Sequence, residues 1–436
     1  MKLRVFLEQG AAWPILGHIL SVLAQFALLK AVAVFWGTER FGQFSLVLAV
    51  AAAVNILFFG PFTEWALRDY QRAKEDGAIY EYFHVLNVNI IFGIALIFIL
   101  ASLFSILVVF VPIDWIGMKW YMIPISSMLG IAISLNNLIY SLLTAAKFPG
   151  LSAALTTADS LLRIIAILLV WWFGYGSIVE IVCALFVTQI IMLLTGCSRL
   201  FFVHKEERLS AHNKSREVIA EYRSSMFVYA WPFLVWGVFG YSASMGDKWV
   251  LANYVSTSEL GVYSAMALVS IGMSNAISLA VNKGVIPVIF RISGTGSEEY
   301  RSRRASMLVN LLVLMLGCLF SVLILLSYFY PNEIITILTS DDFTSHSHYL
   351  WMLMIAAAAF NLSQSLIVHG LLERTPAIYL PSKLVHGSVI LAALIYLVPI
   401  FGIGGAVYAL LFGNIMQLLM VCFVNKKLLR SSALLI

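Results

Sequence analysis

Long apolar stretches separated by short polar connections dominate the pattern of this chain. Each is about as long as the roughly 20 residues that a helix needs to cross the ~30 Å hydrocarbon core of a bilayer. Because the stretches lack the alternation of barrel strands, they predict spanning helices. We count twelve, near residues 11–36, 43–62, 84–111, 121–146, 153–173, 178–201, 226–251, 260–282, 306–330, 349–371, 380–400 and 403–424.

Matched segments in the two halves of the chain indicate an internal duplication. They are a Trp-Pro pair (Trp13-Pro14 and Trp231-Pro232), a lysine in an apolar stretch (Lys30 and Lys248) and a Gly-x-aromatic-Ser segment (Gly42–Ser45 and Gly261–Ser264). Each half then holds six spans, and an even number makes the two copies parallel. We therefore predict an all-α integral membrane protein. It has twelve transmembrane helices in two parallel-repeat six-helix bundles, 1–212 and 213–436, around a central cavity.

The composition supports a membrane protein and excludes a soluble domain. Hydrophobic residues make up 61% of the chain and charged residues 11%, against about 25% charged in an ordinary domain. Most of the 27 lysines and arginines fall at one side of the predicted spans, and Arg40 and Lys119 fall at the other. The positive-inside rule then places both termini in the cytoplasm. The net charge of +5 describes that membrane face and predicts no nucleic-acid partner.

Motifs for metal, nucleotide or enzyme chemistry are missing from the sequence. The four cysteines fall in or at the edge of spans without a CxxC, so we expect buried reduced thiols and no metal site. A P-loop motif is absent, and the connections are too short to hold a catalytic domain. We therefore expect no cofactor and no enzyme. The cysteines are Cys183, Cys197, Cys318 and Cys422.

Three basic residues fall inside predicted spans: Lys30, Arg163 and Lys248. A charge near the bilayer centre costs about 2.5–3.5 kcal/mol even on the lenient insertion scale. These side chains are therefore expected to face a partner or a wet cavity. Snorkelling of Lys30 and Lys248 to the headgroups stays open, since both lie toward the outer ends of their spans.

Polar residues at helical spacing favour a hydrated cavity. Tyr241, Ser244 and Lys248 share a face of the seventh span. In the first span, by contrast, Lys30 lies roughly 140–180° from Gln25 and Ser21 at 100° per residue. Helix packing by polar side chains is the alternative for every stripe. Further stripes are Asn137, Ser141 and Thr144; Thr156, Asp159 and Arg163; Asn275, Ser278 and Asn282; and Asn361, Ser365 and His369.

A cationic cavity suits an anionic substrate. Lysine and arginine are the natural partners of the charged oxygens of a pyrophosphate. The candidate substrate-binding residues are Lys248, Arg163, Lys30, Tyr241 and Ser244. Asp159 and Asp247 neighbour two of these bases. They are candidates for ion coupling, or they neutralise the bases locally.

Several segments of the sequence resemble polysaccharide transporters of the O-antigen flippase type. These belong to the multidrug, oligosaccharidyl-lipid and polysaccharide exporter superfamily. The matching segments are Trp36–Ser45, Gly60–Arg68, Asp247–Leu251 with Leu260–Ser264, and Gly402–Ala409. Asp247-Lys248 departs from the aspartate–arginine pair expected in many relatives, and the two further helices typical of lipid II flippases are missing.

The resemblance implies translocation of undecaprenyl-pyrophosphate-linked sugar units across the bacterial inner membrane. Its expected partners are the lipid-linked oligosaccharide and membrane lipids, with glycan polymerase and chain-length machinery as candidates. Three alternatives stay open. A cation-coupled drug exporter would share the fold, and a glycan polymerase or ligase would share the composition. The third is a non-transporting scaffold.

Overall fold

The computed structural model describes residues 12–110, 118–203, 216–293, 298–372 and 376–434. Within these ranges the chain is almost wholly helical and holds no strand. The α-helices are α1 Ala12–Ala53, α2 Gly60–Glu75, α3 Ile79–Phe110, α4 Met122–Ala145, α5 Pro149–Trp172, α6 Ile178–Val203, α7 Arg216–Leu251, α8 Thr257–Ser293, α9 Glu298–Phe329, α10 Pro331–Leu338, α11 Leu350–Leu366, α12 Val368–Leu372, α13 Leu380–Phe401 and α14 Ile403–Leu434.

The predicted all-α membrane fold is confirmed. Eleven helical segments in the described ranges are long and apolar enough to cross a membrane. The prediction was twelve, and the difference of one arises because the first two predicted spans form one helical run, Leu16–Glu75. Gly37 interrupts α1 with φ 70° and ψ −174°, a left-handed φ that only glycine adopts without strain.

A π-helical segment, Val54–Phe59, joins α1 to α2. Its cause lies in the next two residues, Gly60 and Pro61. Proline has no N–H, and in a regular α-helix its ring would clash with the carbonyl one turn earlier. The wider π-turn relieves that clash, and the Gly60 N–H reaches back to the carbonyl of Asn55.

Contacts divide the chain into two compact units. We call the described part of Met1–Trp36 and Gln43–Tyr241 the N-terminal unit, and Gly37–Gly42 with Ser242–Ile436 the C-terminal unit. The division in the second half of the chain falls inside α7. The predicted boundary between residues 212 and 213 lies outside the described residues, and α6 ends before it at Val203.

Aromatic side chains build one core of the N-terminal unit. Trp65 of α2 stacks on Tyr82 of α3 with 5.2 Å between ring centroids, and both are fully buried. Tyr222 and Met226, from the first turns of α7, complete this cluster. Polar contacts join the same helices: Ser225 donates to Asp69 at 2.8 Å, and Arg72 pairs with Glu221 at 2.7 Å.

The glycines that begin the two Gly-x-aromatic-Ser segments meet in the C-terminal unit. A Cβ on Gly42 would overlap the carbonyl oxygen of Thr257, and a Cβ on Gly261 would overlap that of Thr38. Thr38 and Ser258 also share a hydrogen bond of 2.6 Å between their hydroxyls. The two glycines therefore allow the helix backbones to approach each other closely at this point.

One smaller expectation needs correction. The cysteines are free, but all four are exposed rather than buried, because they lie on outward faces of apolar helices. The connection between the ninth and tenth predicted spans holds α10 and a 3-10 helix, Asp341–Tyr349. The residues between α6 and α7 lie outside the described ranges.

Candidate functional site

Arg163 lies near the middle of α5, with Asp159 one turn before it. The two side chains form a fork: Arg163 Nε donates to Asp159 Oδ1 at 3.1 Å, and Nη2 donates to Oδ2 at 2.5 Å. The Asp159 side chain is 6% exposed and that of Arg163 27%. The carboxylate is therefore the more deeply buried member of this pair.

Neighbouring helices hold Asp159 in place. Gln189 of α6 donates to Asp159 Oδ1 at 2.6 Å. Asn136 of α4 donates in turn to the side-chain and backbone oxygens of Gln189, at 3.0 and 2.9 Å. The Asn136–Gln189–Asp159–Arg163 chain thus joins α4, α5 and α6. Its single negative and single positive charge cancel.

Two polar atoms next to this chain have no hydrogen-bond partner among the described residues. They are Asn136 Oδ1 and the hydroxyl of Tyr140, and both are buried. Tyr140 follows Asn136 by one helical turn, and its ring packs with Leu155 of α5 and Met192 of α6. It therefore belongs to the same three-helix junction. The predicted site residues did not include Asn136, Tyr140 or Gln189, because the polar stripe predicted on α4 was the one that begins at the exposed Asn137.

Helices α1 and α5 run side by side in the same direction. Ser21 and Ser160 share a hydrogen bond of 2.7 Å, and Thr157 donates to the carbonyl of Gly17 at 3.1 Å. Trp36 donates to the carbonyl of Tyr175 at 3.4 Å. Residues that meet are 139 or 140 apart in sequence at all three points. This constant separation shows which residue of α5 lies level with each residue of α1.

This register separates Lys30 from Arg163. Arg163 is level with about residue 24 of α1, so Lys30 lies six residues, or about 9 Å, further along. Lys30 also follows Ser21 by nine residues, which is about half a turn beyond two full turns. It therefore points away from α5 on the exposed side of α1. The two bases do not form one compact pair through the α1–α5 interface.

Lys248 lies in the C-terminal unit and is buried. Its side chain is 4% exposed, and Nζ lies 3.4 Å from Oδ1 of Asp247, which is 2% exposed. Tyr263 of α8 donates to the other carboxylate oxygen of Asp247 at 2.6 Å. Both charges are thus compensated within the unit, and Lys248 is closed to solvent in this conformation.

Tyr241 and Ser244 differ in their surroundings although both lie on α7. The Tyr241 hydroxyl donates to the backbone oxygen of Ala49 at 3.1 Å, inside the N-terminal unit. One turn earlier, Gly237 lets α7 approach the carbonyl of Ile56 in the π-helical segment. Ser244 is exposed and belongs to the C-terminal unit.

The predicted polar stripes of α8 and α11 pack against each other. Asn361 donates to Asn275 at 2.9 Å, and Asn282 lies 3.5 Å from the hydroxyl of Ser365. These stripes therefore serve helix packing. On α4, in contrast, Asn137 and Thr144 are exposed. The polar face of α4 is therefore not packed against another helix at these two residues.

The described residues contain no group of three or more His, Cys, Asp or Glu side chains that could hold a metal ion. Arg163 engages Asp159 through two of its five N–H bonds. The other three engage no acceptor among the described residues.

The family described as polysaccharide biosynthesis protein matches residues 7–293. The match covers well over half of the sequence, so the chain belongs to this family. No curated protein matches the sequence.

Solved structures of membrane transporters are similar in fold. The lipid II flippase MurJ in its inward closed conformation aligns with a TM-score of 0.69 and 14% identity, over 97% of this chain and 87% of that one. A mutant of the Vibrio cholerae MATE transporter VcmN gives 0.61 and 15%, over 97% and 96%. A multidrug resistance MATE family transporter of the MOP superfamily, inward-facing, gives 0.57 and 12%, over 95% and 94%. The chain therefore has the fold of these transporters.

Proposed function

We propose that this protein is a flippase for undecaprenyl-pyrophosphate-linked oligosaccharide, an O-antigen or related repeat unit. It acts in the bacterial inner membrane, with both termini in the cytoplasm, and the substrate crosses by alternating access. The observation that carries the proposal is Arg163, a base at mid-span whose side chain is partly exposed and whose bonds to Asp159 leave three N–H groups for an anion.

The diphosphate is the part of the substrate whose transfer into the bilayer costs the most free energy, because its charge must leave water. Guanidinium N–H groups bind phosphate oxygens through short, charge-assisted hydrogen bonds, often two at a time. Arg163 offers such bonds at the depth where the headgroup has to pass. The polyprenyl chain needs no such help, since it remains soluble in the bilayer throughout.

The other predicted residues take secondary roles in this proposal. Lys30 attracts the headgroup at a different depth from Arg163, while Tyr241 and Ser244 contact the sugar. Lys248 is reached only if the C-terminal unit opens, because it is buried here. Asp159 and Asp247 are candidates for ion coupling.

The family and the fold support a transporter of lipid-linked glycans. The family is named for polysaccharide biosynthesis, and a flippase of lipid II is similar in fold along nearly the whole chain. A transporter of this kind uses membrane lipids as its environment and is not an enzyme. Polymerase and chain-length proteins are candidate partners for the exported units.

A proteoliposome assay tests the proposal. Purified protein is reconstituted with a fluorescent undecaprenyl-diphosphate oligosaccharide, and its arrival in the opposite leaflet is measured by access of a membrane-impermeant quencher. Parent protein is expected to transport. Arg163→Gln is expected to lose at least about 90% of the rate, which corresponds to about 1.4 kcal/mol, and Arg199→Gln on an exposed part of α6 should keep it.

Loss of the arginine leaves Asp159 buried without its counter-ion, which is destabilising by itself. The double variant Asp159→Asn/Arg163→Gln removes both charges and therefore separates folding from binding. A well-folded double variant that transports at the parent rate would refute the role given to Arg163.

A cation-coupled drug exporter is the second candidate, favoured by the buried acid Asp159 and the fold similarity to MATE transporters. Vesicles loaded with a cationic dye provide the test. Dye export driven by a proton or sodium gradient, without movement of the lipid-linked sugar, would establish this function instead.

A further inference from the structure

We propose that Arg163 moves from Asp159 to a phosphate oxygen of the substrate, and that the hydroxyl of Tyr140 takes its place on Asp159. This exchange rests on the proposed function, because it names how the same arginine binds and releases its anion. Four residues at the α4–α5–α6 junction carry the argument: Asp159, Arg163, Gln189 and Tyr140.

Asp159 is the fixed member of the ion pair. Gln189 donates to its Oδ1 at 2.6 Å, and Asn136 holds Gln189 through two further hydrogen bonds. Its side chain is also only 6% exposed. If the pair opens, the carboxylate therefore stays where it is.

Arg163 is the mobile member. Its side chain is 27% exposed, and both of its described hydrogen bonds go to Asp159. Rotation about its long, flexible stem breaks both bonds together. A phosphate with two or more charged oxygens offers the guanidinium an equivalent fork.

Departure of Arg163 leaves one carboxylate oxygen of Asp159 without a hydrogen-bond donor. Oδ1 keeps its bond from Gln189, but among the described residues Oδ2 accepts only from Arg163. A buried carboxylate oxygen without a donor is costly, so the exchange needs a replacement donor inside the junction.

Tyr140 supplies that donor. Its hydroxyl is buried and has no partner in the described part of the chain. Side chains of an α-helix lean toward its N-terminus, which directs Tyr140 along α4 toward Asn136 and hence toward the level of Asp159. The charged Oδ2 is a stronger acceptor than the amide oxygen of Asn136. The unpaired Tyr140 hydroxyl lies in the same three-helix junction as the ion pair, and its burial is explained if it donates to Asp159 once the pair has opened.

The exchange predicts opposite effects of two conservative changes on binding. Asp159→Asn keeps the shape but removes the charge that competes for Arg163. It should therefore bind the diphosphate carrier about tenfold tighter while its maximal transport rate falls, because release becomes slow. Tyr140→Phe removes a hydroxyl that has no bond to the described residues in the resting state, so it should bind about tenfold weaker with an unchanged melting temperature.

The measurement is the dissociation constant of fluorescent undecaprenyl-diphosphate oligosaccharide for each variant in phosphatidylcholine nanodiscs. Two matched controls lie in the same unit. Tyr222→Phe also removes a buried hydroxyl that no described residue pairs, and Asp69→Asn neutralises an acid that is equally buried. Both controls should bind as the parent does.

A double variant decides whether Tyr140 acts through Asp159. In an Asp159→Asn background the neutral amide needs no replacement donor, so adding Tyr140→Phe should change binding less than twofold. A Tyr140→Phe effect of the same size in both backgrounds would overturn the exchange. So would weaker binding by Asp159→Asn, because the carboxylate would then hold Arg163 in the pose that the substrate needs.

A separate experiment tests whether the bound phosphate belongs to the diphosphate carrier or to an ordinary membrane phospholipid. Phosphatidylglycerol added to the nanodiscs should not displace the probe. If it competes equally and with the same variant pattern, the exchange is supported but the proposed substrate is wrong. If the probe binds to Arg163→Gln as tightly as to the parent, both the exchange and the proposed role of Arg163 are overturned.

Discussion

Lys248→Met tests whether the buried pair of the C-terminal unit stabilises the fold. Methionine fills much the same space as the lysine stem but removes the ammonium that lies 3.4 Å from Asp247. The carboxylate then stays buried at 2% exposure, with the Tyr263 hydroxyl as its remaining described donor. Breaking a buried pair from one side costs about 3–5 kcal/mol.

For a cooperative unit of about 200 residues, this cost lowers the melting temperature by roughly 6–20 °C. Thermal unfolding in detergent, followed by tryptophan fluorescence, measures the shift. The double variant Asp247→Asn/Lys248→Met removes both charges, and most of the stability should return, because a neutral pair has no large desolvation penalty.

Two results would refute this reasoning. One is a Lys248→Met protein that melts within about 2 °C of the parent, since one kcal/mol already shifts a unit of this size by that much. The other is a double variant that is as unstable as the single one. A double variant that folds normally but no longer transports would assign Lys248 a direct part in transport.

Further predictions concern the packing of each unit and use the same unfolding measurement. Gly261→Ala should destabilise by about 1–3 kcal/mol because its methyl group would overlap the Thr38 carbonyl, whereas Gly317→Ala, with open space around it, should not destabilise. Trp65→Ala should cost about 3–5 kcal/mol through the cavity left beside Tyr82; a loss below about 1 kcal/mol would contradict its place in the core. Arg72→Gln should leave the melting temperature unchanged, because both partners of its surface ion pair are more than half exposed.

The junction around Arg163 shows where sequence reasoning reached its limit. The i, i+4 spacing places Asp159 and Arg163 on one face, and the structure shows them paired. Gln189 and Asn136 lie on other helices, and nothing in one sequence says which side chains meet across a junction. On α4 the polar residues Asn136 and Asn137 are neighbours, yet one is buried in the network and the other is exposed.

The duplicated segments illustrate the same division. The sequence shows that these segments recur, but it does not show that Gly42 and Gly261 lie in close contact. Likewise, the recurring lysines have different environments: Lys30 is exposed on α1, and Lys248 is buried against Asp247. Equal positions in two copies of a repeat therefore do not imply equal roles.

The sequence by itself determined the class of fold and the location of the spanning helices. Both follow from local physics, because a bilayer requires about 20 apolar residues per helix and backbone hydrogen bonds satisfied within each segment. Only the tertiary structure decided which charges are paired, which polar stripes pack against each other, and that the Arg163 side chain remains partly exposed. Those outcomes depend on distances between residues far apart in sequence, and packing sets these distances where helical periodicity cannot.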